Sequence, residues 1–60
     1  MRMKVDVTIT YKFDNQSTKI RDVINSYQKG LLYIIDRREG DTIKIPIENI
    51  WLIREEYEEI

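Results

Sequence analysis

The first thirteen residues alternate strictly between apolar and polar side chains. The apolar side chains occupy every odd position: Met1, Met3, Val5, Val7, Ile9, Tyr11 and Phe13. Successive residues of a strand face opposite sides, so this period of two predicts one long strand with an apolar face and a polar face. Its length and regularity further predict that this strand serves both halves of a small barrel, bending between them.

The segment 18–27 carries two conflicting patterns. Ile20, Val23, Ile24 and Tyr27 have the i, i+3, i+4, i+7 spacing of a helix, which Gly30 would end. Read with a period of two, the same segment is a bent or bulged strand. The turn-forming residues 14–17 before it and a short turn around Gly30 after it favour the strand, with the helix as the alternative.

The run 31–35 is apolar at every position, which indicates a central strand or one covered on both faces. Residues 42–47 alternate again after a charged turn in which Gly40 is expected to have a positive φ angle. Pro46 lacks an N–H group, so we expect sheet pairing to stop or to lie at an edge there.

The last segment begins with the apolar residues 50–53 and ends in an acidic tail, 54–60. A strand through about Glu56 is favoured, with a frayed or helical end. The fold class predicted for 1–60 is therefore a single all-β domain. It has four to five antiparallel strands, forms a small barrel or a strongly bent sheet, and has room for one short helix.

The composition excludes several kinds of chemistry but does not identify an activity. The chain has 60 residues, 35% of them charged, a net charge of -1, and neither cysteine nor histidine. Disulfides and the usual zinc and haem ligands are therefore absent, and we expect no cofactor and no metal. No apolar run approaches the length of a membrane span and the N-terminus does not resemble a signal peptide, so a cytoplasmic location is expected.

Two resemblances follow from the residues of the C-terminal half. Gly40, the short strand from Thr42 and the turn Ile45-Pro46-Ile47-Glu48-Asn49-Ile50 resemble the end of an SH3-like barrel, in which a Pro-containing 3₁₀ turn joins the last two strands. The same turn, preceded by Gly30-Leu31-Leu32-Tyr33-Ile34, also resembles short uncharacterised β proteins of Gram-positive bacteria and their phages. These resemblances imply a fold more than an activity.

An enzyme is not expected, because a serine nucleophile would lack a histidine base and the chain is too small for an ordinary substrate pocket. A surplus of apolar residues instead predicts a protein-binding or regulatory module that associates with itself, through Tyr27, Trp51, Tyr57 and Ile60. The phage-like layout extends this hypothesis to a phage-type inhibitor of a host protein.

The alternative hypothesis is a small barrel that binds single-stranded nucleic acid. Basic side chains for the phosphates would come from the first strand and two turns: Arg2, Lys4, Lys12, Arg37 and Arg38. The balanced charge of the chain weighs against this alternative, because a dedicated binder of nucleic acid usually has a basic surplus.

Overall fold

The computed structural model describes the backbone of residues 2–59 and the side chains of residues 3 and 5–59. It contains six strands and one 3₁₀ turn, which are β1 (Arg2–Tyr11), β2 (Ser17–Arg21), β3 (Val23–Lys29), β4 (Leu32–Arg37), β5 (Thr42–Pro46), the turn Ile47–Asn49 and β6 (Ile50–Glu59). The described residues form no α-helix, so the all-β prediction is confirmed. The strand interpretation of 18–27 is also confirmed, and the chain has more strands than the four to five expected.

The strands form two antiparallel sheets of three, with the orders β2-β1-β6 and β3-β4-β5. Within residues 2–59 no strand of one sheet pairs with a strand of the other. The prediction of a closed barrel is therefore wrong. The two sheets stack on each other through their apolar faces and leave their edges unpaired, as in a small sandwich.

The division between the sheets falls at Asp22, between β2 and β3. Asp22 has a φ angle of 57°, a left-handed conformation that Asp tolerates better than most residues. Its carbonyl accepts a hydrogen bond from Arg38 N–H at 2.8 Å. The chain thus passes from one sheet to the other within residues 17–29, while β1 stays in the first sheet, so the expectation that residues 1–13 bend between two halves is wrong.

The core lies between the two sheets and is built from alternate positions of their strands. Val7, Ile9, Val23 and Ile35 are fully buried. Ile20, Tyr33, Ile45 and Ile50 complete the cluster, and Tyr11, Ile43, Ile47 and Ile53 pack against it. Burial of each large side chain is worth about 1.5–3 kcal/mol relative to exposure, which is the main stabilisation available to so short a chain.

Three details of strand pairing matter for the surface: the end of β6, a bulge at its start, and the edge position of β5. β6 pairs with β1 as far as Arg2 and Glu59, so the strand extends beyond the predicted end at Glu56. At its start, Tyr11 pairs with Ile50 and Thr10 with Leu52, which leaves Trp51 as the extra residue of a bulge. β5 pairs with β4 alone and ends at Pro46, as expected for an edge strand.

Candidate protein-binding surface

The central strand of the second sheet, β4, is apolar on both of its faces. Tyr33 and Ile35 point into the core, whereas Ile34 is buried but lies outside the core cluster. Because neighbouring residues of a strand face opposite sides, Ile34 lies on the outer face of the sheet. The run 31–35 therefore includes a central strand, as predicted, but only one of its faces is covered by the other sheet.

Cross-strand pairing shows which residues surround Ile34 on that outer face. Ile34 pairs with Tyr27 on β3 and with Lys44 on β5. The next row on the same face is formed by Lys29, Leu32 and Pro46. We call Tyr27, Leu31, Leu32, Ile34, Pro46 and Ile47 the apolar face.

A groove of about 300 Å³ lies at one end of the apolar face, lined by Leu31, Leu32, Pro46, Ile47 and Glu48. Gly30, with a φ angle of 61°, makes the tight turn between β3 and β4. This turn leaves the side chain of Leu31 85% exposed. The Ile47 N–H group donates a hydrogen bond to the Leu31 carbonyl at 2.9 Å, which fixes the 3₁₀ turn against the opposite wall of the groove.

Charged residues of both signs surround the apolar face, since Asp36 lies in the neighbouring row of the same outer face and Glu48 lines the groove. Lys29 lies at its β3 edge and Lys44 at its β5 edge, and both residues are exposed. Neither ammonium group is within 4.0 Å of a carboxylate of the residues whose side chains are described. The apolar face is therefore bordered by two exposed lysines and two carboxylates.

Of the four residues predicted for protein interaction, the three that the structure describes do not form one patch. Tyr27 belongs to the apolar face and is 40% exposed, and Trp51 is 71% exposed at the β6 bulge that follows the 3₁₀ turn. Tyr57 lies near the other end of β6 and is 43% exposed, and Ile60 lies outside the described residues. The prediction missed Leu31, Leu32, Ile34 and Pro46, although a run that is apolar on both faces was a signal for them.

Tyr57 takes part in a polar contact that connects the two sheets. Its hydroxyl donates a hydrogen bond of 2.7 Å to Glu55 Oε2. Glu55 Oε1 lies 3.1 Å from Tyr33 Oη and 3.3 Å from Ser26 Oγ, both of which belong to the second sheet. We call this group the Glu55 bridge, and we assign it a structural role because the contacts of Glu55 with Ser26 and Tyr33 join β6 to β3 and β4.

Among the residues predicted to bind nucleic acid whose side chains are described, Lys12 lies far from Arg38. Lys12 is bonded through its backbone to Asn49 at the 3₁₀ turn, whereas Arg38 reaches Met3 Sδ at 3.8 Å near the other end of β1. Nine residues of strand separate Met3 from Lys12, which is about 30 Å. The side chains of Arg2 and Lys4 lie outside the described residues, so the nucleic-acid hypothesis stays a prediction.

Arg37, the fifth residue of that set, is held within its own hairpin. Its guanidinium lies 3.1 Å from Asp41 Oδ2 and 3.7 Å from Glu39 Oε2, and its Nε donates to the Arg21 carbonyl at 3.1 Å. The hydrogen bond to Asp41 and the surrounding carboxylates raise the pKa of Arg37 above its ordinary value. The guanidinium of Arg37 is thus engaged by carboxylates of the turn between β4 and β5 and by the end of β2.

The described residues also bear on metal binding and on membrane-spanning helices. Across the part of the chain that the structure describes, no group of three or more acidic, histidine or cysteine residues is arranged to hold a metal ion. No helix in that part is long and apolar enough to cross a membrane.

Comparison with known proteins finds no match for this chain among family models, curated proteins or solved structures. The resemblance to SH3-like barrels and to short phage and Gram-positive β proteins therefore stays a prediction, and the surface itself is the basis for any functional argument.

Proposed function

We propose that this protein is a non-enzymatic binding module that takes a protein partner on the apolar face. The observation that carries the proposal is the set of exposed apolar side chains on and beside the outer side of the second sheet, Tyr27, Leu31 and Pro46. Contiguous apolar surface of this kind on a small protein is typical of an interaction site. The groove beside Leu31 gives such a partner a place to insert a side chain.

The partner we propose is a second copy of the chain. A domain of 60 residues buries only about 60% of the surface of its unfolded chain, and oligomerisation is a common way to bury more. The chain has no cysteine and no histidine, so disulfides and the common zinc sites are not available for the same purpose. Covering the apolar face in a homo-oligomer supplies the missing burial.

The SH3-like arrangement is part of the proposal. It is supported by the 3₁₀ turn Ile47–Asn49, which joins β5 to β6 as the resemblance implies. A role as a phage-type inhibitor of a host protein rests on the resemblance alone, and such a host protein would compete with the second copy for the apolar face.

A matched pair of variants tests the proposal. Leu31→Ser removes an apolar side chain from the apolar face, and Leu52→Ser removes one that is 50% exposed on the outer face of the first sheet. In sedimentation equilibrium from about 1 to 100 µM we expect the wild-type chain to associate reversibly with a concentration-dependent mass. Leu31→Ser should weaken this association about tenfold, the effect of losing roughly 1.4 kcal/mol of contact, while Leu52→Ser leaves it unchanged.

A wild-type chain that stays monomeric over the whole range would contradict self-association. Equal effects of the two variants would contradict the assignment of the interface to the apolar face.

A further inference from the structure

The single tryptophan of the chain lies beside the groove but does not line it. Trp51 is the extra residue of the β6 bulge, and it closely follows the 3₁₀ turn that contributes Ile47 and Glu48 to the groove. Its side chain is 71% exposed. A tryptophan can bury about 150–250 Å² of surface in a contact, and tryptophan is the residue type most enriched among the anchors of protein interfaces. Trp51 is therefore a candidate anchor that has no pocket in its own chain.

The groove has the size and the chemistry that a tryptophan requires. Its volume of about 300 Å³ is at the lower end of the range for ligand pockets, so it is matched to one large side chain. Among the described residues that line the groove, four are apolar and the fifth is Glu48. The indole N–H group of a buried tryptophan needs a hydrogen-bond acceptor, which the Glu48 carboxylate supplies. Apolar walls with one acceptor thus complement both parts of the side chain.

Trp51 and the groove are close enough to belong to one interface. Glu48 and Trp51 are three positions apart, so their Cα atoms are separated by at most about 11 Å. A typical interface covers about 800 Å² on each partner, which is about 30 Å across. Trp51 belongs to the first sheet, and the groove lies at the same end of the second sheet. Two copies that meet end to end about a two-fold axis therefore place the tryptophan of each opposite the groove of the other.

The charges at this end of the molecule do not oppose a contact between two copies. Lys29 and Glu48 border the groove, and Lys12 and Asp14 lie in the turn between β1 and β2. Each pair consists of one positive and one negative group, so the four together carry no net charge. Self-association through this end is thus not opposed by repulsion between like charges.

We propose that Trp51 of each copy inserts into the groove of a second copy, in a reciprocal two-fold dimer. This inference rests on the proposed function and names the side chain that the groove receives. The indole ring packs against Leu31 and Ile47 of the partner subunit, and its N–H group donates a hydrogen bond to the partner's Glu48. Because the same contact is made in both directions, the assembly closes at two copies and does not extend into a fibre.

Two complementary variants test the inference. Trp51→Ala keeps the groove and has no tryptophan, whereas Leu31→Ser keeps the tryptophan and alters the groove. When Trp51→Ala is added to Leu31→Ser, we expect the tryptophan fluorescence to shift to shorter wavelength, because Trp51 of one variant enters the intact groove of the other. The matched control is the double variant Trp51→Ala/Leu31→Ser, which offers neither feature and should cause no shift.

Sedimentation equilibrium gives the size of the contribution of Trp51. Trp51→Ala should weaken the wild-type dimer at least about tenfold, as expected for an interface anchor. Phe13→Ala removes an aromatic side chain that is 86% exposed in the turn between β1 and β2. It should weaken the dimer less than about twofold, because Phe13 does not enter the groove. Circular dichroism of each variant shows whether it is folded.

The possible results separate this inference from the proposed function. A wild-type chain that associates without a change in tryptophan fluorescence, or a mixture of the two variants without a shift, would overturn the insertion of Trp51. The proposed function would still hold if Leu31→Ser weakened association more than Leu52→Ser did. A wild-type chain that stays monomeric would contradict both.

Discussion

The two sheets bring similar apolar inner faces together, yet their outer faces differ in kind. On the first sheet the outer rows are polar: Arg21, Asp6 and Glu56 in one, Lys19, Thr8 and Arg54 in the next, and Ser17, Thr10 and Leu52 in the third. Two outer rows of the second sheet are Tyr27, Ile34 and Lys44, and Lys29, Leu32 and Pro46, and its third row, Asn25, Asp36 and Thr42, is polar. The outer face of the first sheet is polar almost throughout, whereas that of the second sheet becomes apolar towards the groove.

The polar face of the first sheet is also internally paired. Lys19 Nζ lies 3.5 Å from Asp6 Oδ2 and 3.7 Å from Glu56 Oε1, and Thr10 Oγ1 lies 2.9 Å from Ser17 Oγ. Such cross-strand pairs are what a solvent-facing sheet uses for stability. The two lysines of the second sheet form no ion pair with the described side chains, and this sheet is the one proposed to bind a partner.

The largest expected effect is a difference in unfolding free energy between substitutions on the inner and the outer face of β4. Ile35→Ala should lower the free energy of unfolding by about 3 kcal/mol, because the fully buried side chain leaves a cavity between two packed sheets. Ile34→Ala should cost about 2 kcal/mol, the low end for a buried isoleucine, because Ile34 lies outside the core cluster and the exposed side chains of Tyr27 and Lys44 can close over the smaller residue. Urea unfolding at low micromolar concentration measures both values. Equal losses would show that the inner and outer faces of β4 are packed equally well, contrary to the difference described between them.

The next effect concerns the contact that holds the two sheets together. Glu55→Ala removes the acceptor shared by Tyr33, Ser26 and Tyr57, and should lower the free energy of unfolding by about 1–1.5 kcal/mol. Glu58→Ala, three residues along β6, should change it by less than about 0.5 kcal/mol because Glu58 is exposed and forms no ion pair with the side chains that the structure describes. The same urea experiment decides, and an equal response of the two glutamates would refute the structural role of the Glu55 bridge.

A smaller effect is expected at the point where the chain passes between the sheets. Asp22 has a φ angle of 57°, so Asp22→Val should destabilise the protein by about 1–2 kcal/mol, whereas Asp22→Gly should be neutral or slightly stabilising. Thermal unfolding of both variants checks the difference. If the valine variant were as stable as the glycine variant, the left-handed conformation would not be the feature that divides β2 from β3.

The smallest effect is expected at Arg37, which ties the turn after β4 to the end of β2. Its pKa is raised in the folded state, chiefly by the hydrogen bond to Asp41. A raised pKa stabilises the fold at every pH below the ordinary value and is lost only as the pH rises through the folded value. Arg37→Lys should therefore cause a small loss in melting temperature that is constant from about pH 6 to pH 9. A loss that changes across this range would show that another group is responsible.

Much of the fold was predictable because hydrophobic periodicity reports which side of a strand is buried. The alternation of residues 1–13 predicted β1, and the turn signals around Asp14, Gly30 and Gly40 predicted the hairpins. The extension of β6 to Glu59 was not predictable from an acidic tail, because it depends on backbone pairing with Arg2, 57 residues away in sequence. The open arrangement of the sheets depends similarly on one left-handed residue, Asp22, in a segment whose pattern fits two structures.

The candidate site was predictable in part. The run 31–35 is apolar on both faces, which implies a surface that some layer must cover, but the sequence does not say whether that layer belongs to the same chain. Lys29 and Lys44 are 15 positions apart, and only the register that pairs Lys29 with Leu32 and Lys44 with Ile34 brings them to one face. Trp51 and Tyr57 were both predicted as interaction residues, but they lie near opposite ends of β6. Trp51 is at the bulge, and Tyr57 belongs to the Glu55 bridge.

The most direct test of the central claim is a ¹H–¹⁵N dilution series that follows every backbone amide as the protein is diluted. We expect concentration-dependent shifts in residues 27–34 and 44–48, with β2 and the polar outer rows of the first sheet unchanged. Shifts concentrated on the first sheet, or amides that do not respond to dilution at all, would contradict it.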